Sequence, residues 1–318
     1  MTAGNWSLVG DIGGTNARFA LVQAGDSRLH CPLSLATTDY ETVEQALDVY
    51  LDEAGRPWID AACLAVAGPV RLREARLTNG QWAFSIPQLK QAFGWSRLDV
   101  INDYHAMALG VLQVPDSGLV AVAEGQRGLA PRLVMGPGTG LGMAALIPSD
   151  GGWLPLVTEG GHVDFPVVTG TEVEILRILQ RRFGRVSVER ILSGEGLLAL
   201  YRAHADIRGV TAVLQAPELI TAAASAGDGL AVTALMHFCE LLGRTAGNAV
   251  LTLGAFGGVY LTGGIVTRFP EFLIRSPFAK GFTDKGRMAM LLRETPVHIV
   301  MEPQTGLMGA AKALEATS

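Results

Sequence analysis

One pattern restricts this chain more than any other, and it occurs twice. Leu8 to Val22, LVGDIGGTNARFALV, holds an apolar run, a Gly-Gly turn and a second apolar run. Leu133 to Ile147, LVMGPGTGLGMAALI, repeats that order around Gly136, Gly138, Thr139, Gly140 and Gly142. Two apolar runs about a glycine turn predict a β-hairpin. In the first hairpin Asp11, Gly13, Gly14, Thr15 and Asn16 crowd the turn. Backbone N–H groups of such a turn can form a concave nest for an anion, with hydroxyls as further donors. A carboxylate beside a phosphate is repelled unless a divalent cation lies between them. Asp11 therefore points to a magnesium–phosphate site, with the metal held largely through water. Taken alone, an ordinary hairpin with a polar tip remains the simpler account of this turn.

Each repeat is followed by helical patterns. After the first hairpin, Arg28 to Leu35 reads as a strand and Tyr40 to Glu53 as an amphipathic helix. Ala61 to Ala67, AACLAVA, is apolar on both faces and suits a central buried strand ending at Gly68-Pro69. A polar stretch with Asn79 and Trp82 follows. Ser85 then caps a short helix with Pro87 in its first turn. Leu98 to Ile101 is a strand stopped by Asn102-Asp103, and Tyr104 to Leu112 is helical. After the second hairpin, Trp153 to Val157 reads as a strand. Thr171 to Phe183 is a helix with an apolar face at Val173, Leu176, Ile178 and Leu179. Val188 to Arg202 and Ala216 to Ala226 are helical, and Leu230 to Leu253 is a long helix interrupted around Gly243 and Gly247. Strands at Val259 to Leu261 and Val297 to Val300 precede a last helix, Leu307 to Leu314, opened by Gly306. Strands first and helices after, twice, predict two α/β domains of related plan with a ligand cleft between them. Two glycine turns could then grip one phosphate chain from opposite sides.

Bulk properties agree with this division. A chain of 318 residues exceeds one typical core. Hydrophobic residues make up 49% and charged residues 17%, so a large buried interior is available. A net charge of −5 without a long basic run argues against a nucleic-acid partner. Cys31, Cys63 and Cys239 are far apart, which implies neither a zinc site nor a disulfide framework and suits a reducing cytoplasm. The N-terminus, MTAGNWSLVGD, has neither the basic nor the apolar region of a signal peptide. Thr245 to Thr267 carries no charge and is long enough to span a bilayer, yet its glycines divide it into a helix end, a break and a buried strand.

Several motifs could carry chemistry. No G-x-x-x-x-G-K-[ST] is present, so a P-loop is excluded, and the Gly136 run opens into a strand, which disfavours a Rossmann site. Asp103 sits where a strand ends and a helix begins. It could be an N-cap, or a carboxylate at a ligand cleft accepting a proton from a substrate hydroxyl. Thr158 to Phe165, TEGGHVDF, gathers Glu159, His162 and Asp164 around two glycines. One histidine and two carboxylates make a poor transition-metal site; a polar wall for a polyhydroxyl ligand or a solvated turn fits better. Nothing local separates Glu189 from Glu195. Gly263-Gly264 in LTGGI could bring backbone close to a flat ligand or simply end a strand.

Together, GDIGGTNARFAL, INDYHAMALG, GPGTGLG, EGGHVDF, LSGEGL and FGGVYLTGGI resemble the bacterial glucokinase family, in the group related to the enteric enzyme, from about Leu8 to Ala311. That family is part of the superfamily of sugar kinases, actin and heat-shock chaperone ATPases. The resemblance implies two ribonuclease-H-like α/β domains, a small one of residues 1–110 plus 303–318 and a large one of 111–302. It implies a first phosphate loop at Gly10, Asp11, Ile12, Gly13, Gly14, Thr15 and Asn16, and a second at Gly138, Thr139 and Gly140. Gly263 and Gly264 would form the adenosine loop. Asp103 is similar to the family's general base and sugar ligand, and Asn102, Glu159, His162 and Glu189 to its other sugar ligands.

The implied reaction is ATP-dependent phosphorylation of glucose at its 6-hydroxyl. Its cofactors would be ATP and Mg2+, with Asp11 holding the metal through water. A related family of repressors and kinases carries clustered zinc-binding cysteines after E-x-G-H. Here no cysteine lies between His162 and Cys239, so no zinc is expected. The expected partners are glucose, ATP and a second copy in a homodimer, with no nucleic acid and no membrane. The rival readings are a kinase of broader hexose range (mannose, glucosamine), a non-catalytic sugar sensor, and an actin- or chaperone-like ATPase.

Overall fold

The computed structural model describes residues 6–316 apart from Ala24, Ser27 and Arg127. The MTAGN start, where no signal peptide is expected, lies outside the described residues, as do the last two positions of the expected small domain. The chain forms two compact units, Met1–Asp116 with Glu302–Ser318, and Ser117–Met301.

The first unit opens with the hairpin β1 (Trp6–Ile12) and β2 (Asn16–Gln23), paired from Trp6↔Gln23 to Ile12↔Ala17. β3 (His30–Ala36), α1 (Val43–Glu53), β4 (Ile59–Val66), β5 (Glu74–Arg76), β6 (Ala83–Ser85), α2 (Ile86–Phe93), β7 (Arg97–Asn102) and α3 (Asp103–Val111) follow. The sheet order is β3-β2-β1-β4-β7, which makes the AACLAVA segment an interior strand. α1 starts later than its apolar pattern suggests. Thr42 caps it by accepting from Gln45 N, and Thr37–Asp39 make a separate 3₁₀ turn. Ser85 caps α2 through Gln88 N, as expected. The polar stretch conceals the small β5–β6 hairpin, anchored by the buried Trp82, whose indole N–H donates to Tyr40 O at 3.0 Å.

The second unit contains β8 (Leu119–Ala123), β9 (Arg132–Pro137), β10 (Leu141–Ser149), β11 (Gly152–Thr158), α4 (Gly170–Phe183), α5 (Gly194–Arg208), α6 (Pro217–Ser225) and α7 (Gly229–Leu253). Then come β12 (Val259–Leu261), α8 (Pro270–Arg275), α9 (Phe278–Thr283), α10 (Ala289–Arg293) and β13 (Val297–Val300). Its sheet order is β11-β10-β9-β12-β13-β8. In each unit three sequential antiparallel strands are followed by parallel ones, so β3-β2-β1-β4-β7 corresponds to β11-β10-β9-β12-β13. The related plan read from the two glycine hairpins is therefore present.

Three helical expectations change. α7 runs unbroken for 25 residues through Gly243 and Gly247. Those glycines admit a neighbour: a Cβ would stand 2.1 Å from Phe278 O at Gly243 and 2.5 Å from Phe282 O at Gly247, so α9 lies directly on them. α4 buries Ile175 and Leu179 but leaves Val173 exposed. α5 begins at Gly194 instead of Val188, because Ser193 caps it through Gly196 N. Among the described residues no single helix is long and apolar enough to cross a membrane.

A buried polar network ties α4 to α5 and α7. Glu172 closes a capping box, accepting from Val168 N at 2.6 Å and Thr169 N at 3.1 Å. Its other oxygen accepts from Arg244 Nη1 at 2.8 Å and lies 3.4 Å from His237 Nε2. Burial pushes this carboxyl up, but the hydrogen bonds from His237, Arg244 and the two N–H groups outweigh it and bring it to about 2. His204, bonded to His237 at 2.9 Å, is pushed down to about 4 by burial, with His237 and Arg208 adding to the effect.

Glu172→Gln leaves buried Arg244 with only Glu240, 3.9 Å away, as a carboxylate partner among the described residues. A loss of about 3 kcal/mol, the lower end for a broken buried pair, is expected in urea unfolding at neutral pH. Because the folded carboxyl lies below its ordinary value, its stabilisation is full above pH 4.5 and fades as pH falls towards 2. His204 acts in the same direction from pH 6.5 towards 4, since the unfolded chain binds its proton first. Wild-type and Glu172→Gln curves should therefore converge below pH 4.5, and parallel curves there would refute the assignment.

The chain then returns to the first unit as α11 (Thr305–Ala316). Leu307, Ala310, Ala311 and Leu314 pack with Val9, Ala20, Val22 and Cys63, forming a core apart from the one that α1 and α2 cover. α11 also lies against α3 at very short range. A Cβ at Gly110 would be 1.9 Å from Thr305 O, and one at Gly309 would be 1.7 Å from Ala106 O.

Candidate active site

In the first unit the opening turn is tied down by its carbonyl oxygens. Gly13 N donates to Asn16 O at 2.9 Å, Thr37 N to Thr15 O at 3.0 Å, and Thr37 Oγ1 to Gly14 O at 2.7 Å. The N–H groups of Gly14 and Thr15 meet no acceptor among the described residues, and Thr15 is exposed. Of the donors expected here, Gly13 is thus engaged inside the turn. Gly14 admits a close backbone, since a Cβ would stand 2.5 Å from Asn79 O. Gly10 lies within β1, where a Cβ would meet Leu64 at 2.7 Å, and the Ile12 side chain is in the core, so both shape the strand behind the turn. Thr37 and Asn79 as supports of the turn lie too far along the chain for any local signal to reveal.

Asp11 faces Arg18 across the hairpin, with Nη1 at 3.4 Å from Oδ2. Arg18 is thus a partner of Asp11 within the hairpin. The N-terminus of α11 closes in as well, since a Cβ at Gly306 would be 2.7 Å from Asp11 Oδ2. Burial pushes the Asp11 carboxyl up, and Arg18 pulls it back by charge and hydrogen bond. Among the described residues no three His, Cys, Asp or Glu side chains converge as a metal cage. A single carboxylate with one counter-charge fits a magnesium ion carried mainly by water and phosphate.

At the end of β7, Asn102 rather than Asp103 caps α3, its Oδ1 accepting from Tyr104 N at 2.9 Å. Asp103 is the first residue of the helix. Ile12 pairs with Val66, and Val66 with Asn102, across three parallel strands. Two strand spacings therefore put Asn102 about 10 Å from Ile12. The first glycine turn and Asp103 share the carboxyl edge of this sheet, where α/β sheets bind ligands.

In the second unit, Gly138 N donates to Gly140 O at 2.8 Å and Gly194 N to Gly138 O at 2.9 Å. The N–H groups of Thr139 and Gly140 meet no acceptor among the described residues. Glu189 is attached to this turn: its Oε2 accepts from Leu141 N at 2.8 Å, and its N–H donates to Gly161 O at 2.9 Å. His162 places Nδ1 3.9 Å from Glu189 and Nε2 3.7 Å from Glu159. Glu159, His162 and Glu189 therefore do come together, beside the second glycine turn. Arg185 fixes the segment by donating to His162 O at 2.8 Å and pairing with Asp164 at 2.7 Å. Gly263, at φ 90°, runs against the same strand end, because a Cβ there would lie 2.5 Å from Pro137 O. Contact with Leu141 N and Gly161 O separates Glu189 from Glu195, which sits in the first turn of α5.

A family model described as Glucokinase matches residues 8–317. The chain is 57% identical to a glucokinase of Marinobacter nauticus, over 99% of this chain and 98% of the relative. The crystal structure of a glucokinase from an Antarctic psychrotroph is similar, with a TM-score of 0.86 and 35% identity over 98% of this chain and 99% of the other. A ROK family glucokinase from Streptomyces griseus, crystallised with glucose and AMPPNP, shares the fold, with a TM-score of 0.66 and 19% identity over 97% and 99% of the two chains.

Proposed function

The chain belongs to the glucokinase family, and from that premise we propose how its residues carry the phosphorylation of glucose by ATP. The γ-phosphoryl group passes to the 6-hydroxyl, giving glucose 6-phosphate and ADP. A primary alcohol is a poor nucleophile at neutral pH, so Asp103 accepts its proton as the oxygen attacks phosphorus. The observation that carries this role is the capping of α3 by Asn102. With the cap supplied by Asn102, capping does not account for the carboxylate at the strand end.

Phosphoryl transfer is catalysed mostly by positioning and charge. The N–H groups of Gly14 and Thr15, and those of Thr139 and Gly140, are the donors available to phosphate oxygens. Gly263 and Gly264 offer a backbone surface to the adenosine. Asp11 would hold magnesium through water, and the metal would supply charge neutralisation at the phosphates. Asn102, Glu159, His162 and Glu189 hydrogen-bond the ring hydroxyls. A sugar lacking or inverting one hydroxyl leaves one of these groups without its partner in the complex, which gives discrimination. We also assign glucose and ATP as the partners, and a second copy in a homodimer.

A coupled assay over a hexose panel with ATP, ADP and polyphosphate tests this reading. Glucose with ATP should give the highest kcat/KM. No turnover on any hexose with any donor overturns the reading, and equal turnover on mannose or glucosamine overturns the specificity.

A further inference from the structure

In the first unit a cavity of about 490 Å³ opens between α1, the end of α2 and the start of β4. It lies at the amino ends of the parallel strands, the edge opposite to Asn102 and Asp103. Buried Leu51, Ile59 and Trp95 line its base, and Trp95 stacks on Phe93 at 4.9 Å. Beside it, Trp58 is 65% exposed, and its ring meets no other ring and no cation among the described residues. A large amphipathic ring kept bare beside a cavity is unusual on a monomer surface.

The rim is polar. Arg56 holds φ at 44° directly after Gly55 at 79°, a backbone conformation rare outside glycine. Arg56 N donates to Leu51 O at 2.8 Å, and its guanidinium bonds Asp52 and Asp48. Gly55 N also donates to Asp52 O at 3.1 Å, so this turn is the Schellman ending of α1. Asp48 and Glu44 complete the rim. N–H donors and carboxylate acceptors therefore stand side by side on the rim.

We infer that this groove is a second carbohydrate site, taking a neutral pyranose whose C–H face lies on Trp58 and whose hydroxyls meet Arg56, Asp48 and Glu44. Mixed charge on the rim selects a ligand with both donors and acceptors, and the apolar base with a few convergent polar groups is the usual build of a small-molecule site. The groove is independent of the residues assigned to phosphoryl transfer.

The full chain labelled with 5-fluorotryptophan provides the test, with the Trp58 resonance assigned by its loss in Trp58→Phe. Glucose should shift that resonance saturably at concentrations where turnover is already saturated. Arg56→Ala should weaken this second phase roughly tenfold, as loss of a polar contact does, and leave kcat and KM for glucose unchanged. A Trp58 resonance indifferent to glucose overturns the inference. So does a shift produced by spermidine but not by glucose, which marks a cation site, or one that tracks protein concentration without sugar, which marks an interface between copies.

Discussion

Asp103→Asn is expected to lower kcat about 10²- to 10⁴-fold, the range for loss of a general base, while glucose binding measured by calorimetry changes little. The substitution keeps the shape of the side chain at the first position of α3. It leaves the cap untouched, because Asn102 supplies the oxygen that accepts from Tyr104 N. The helix therefore persists, and what disappears is proton acceptance. Asn102→Ala gives the complementary outcome. It removes the cap and a proposed sugar contact together, so both stability and KM should worsen. Retained turnover in Asp103→Asn would remove Asp103 from the mechanism.

Gly309→Ala is expected to be strongly destabilising. In an open helix position Ala is favoured over Gly by about 1 kcal/mol. Here the added Cβ would stand 1.7 Å from Ala106 O, and backbone cannot rotate away as a side chain can. α11 must move off α3. The cost belongs at or above the upper end of about 1–3 kcal/mol for overfilled cores. Activity should fall with it, because α3 begins at Asp103 and the start of α11 lies against Asp11. Gly170→Ala is the control, in the first turn of α4 with nothing within 4 Å of the added carbon. Urea unfolding of the two variants should differ in sign, and equal midpoints would refute the close-packing account.

Much of this was legible in the sequence because strand and turn chemistry is local. The two glycine hairpins, the AACLAVA strand and the Ser85 cap each follow from a few adjacent residues. Glycine in α7 was misleading for a physical reason. Sequence alone cannot separate a glycine that breaks a helix from one that admits another backbone, as Gly243 admits Phe278 O. Asp103 and Asn102 compete for one cap, and only geometry shows which side chain turns back. Partners far along the chain, such as Thr37 with Gly14 or Arg244 with Glu172, leave no trace in periodicity.

The place of α11 has a consequence for synthesis. The helix that seals one face of the first sheet and reaches Asp11 leaves the ribosome after every other described helix and strand. Domains generally form as they emerge, so the middle of the chain can finish while its beginning still waits for its end. The first sheet is made before the second unit but completed after it, and a nascent chain truncated before Thr305 carries the first glycine turn and Asp103 without α11 beside them.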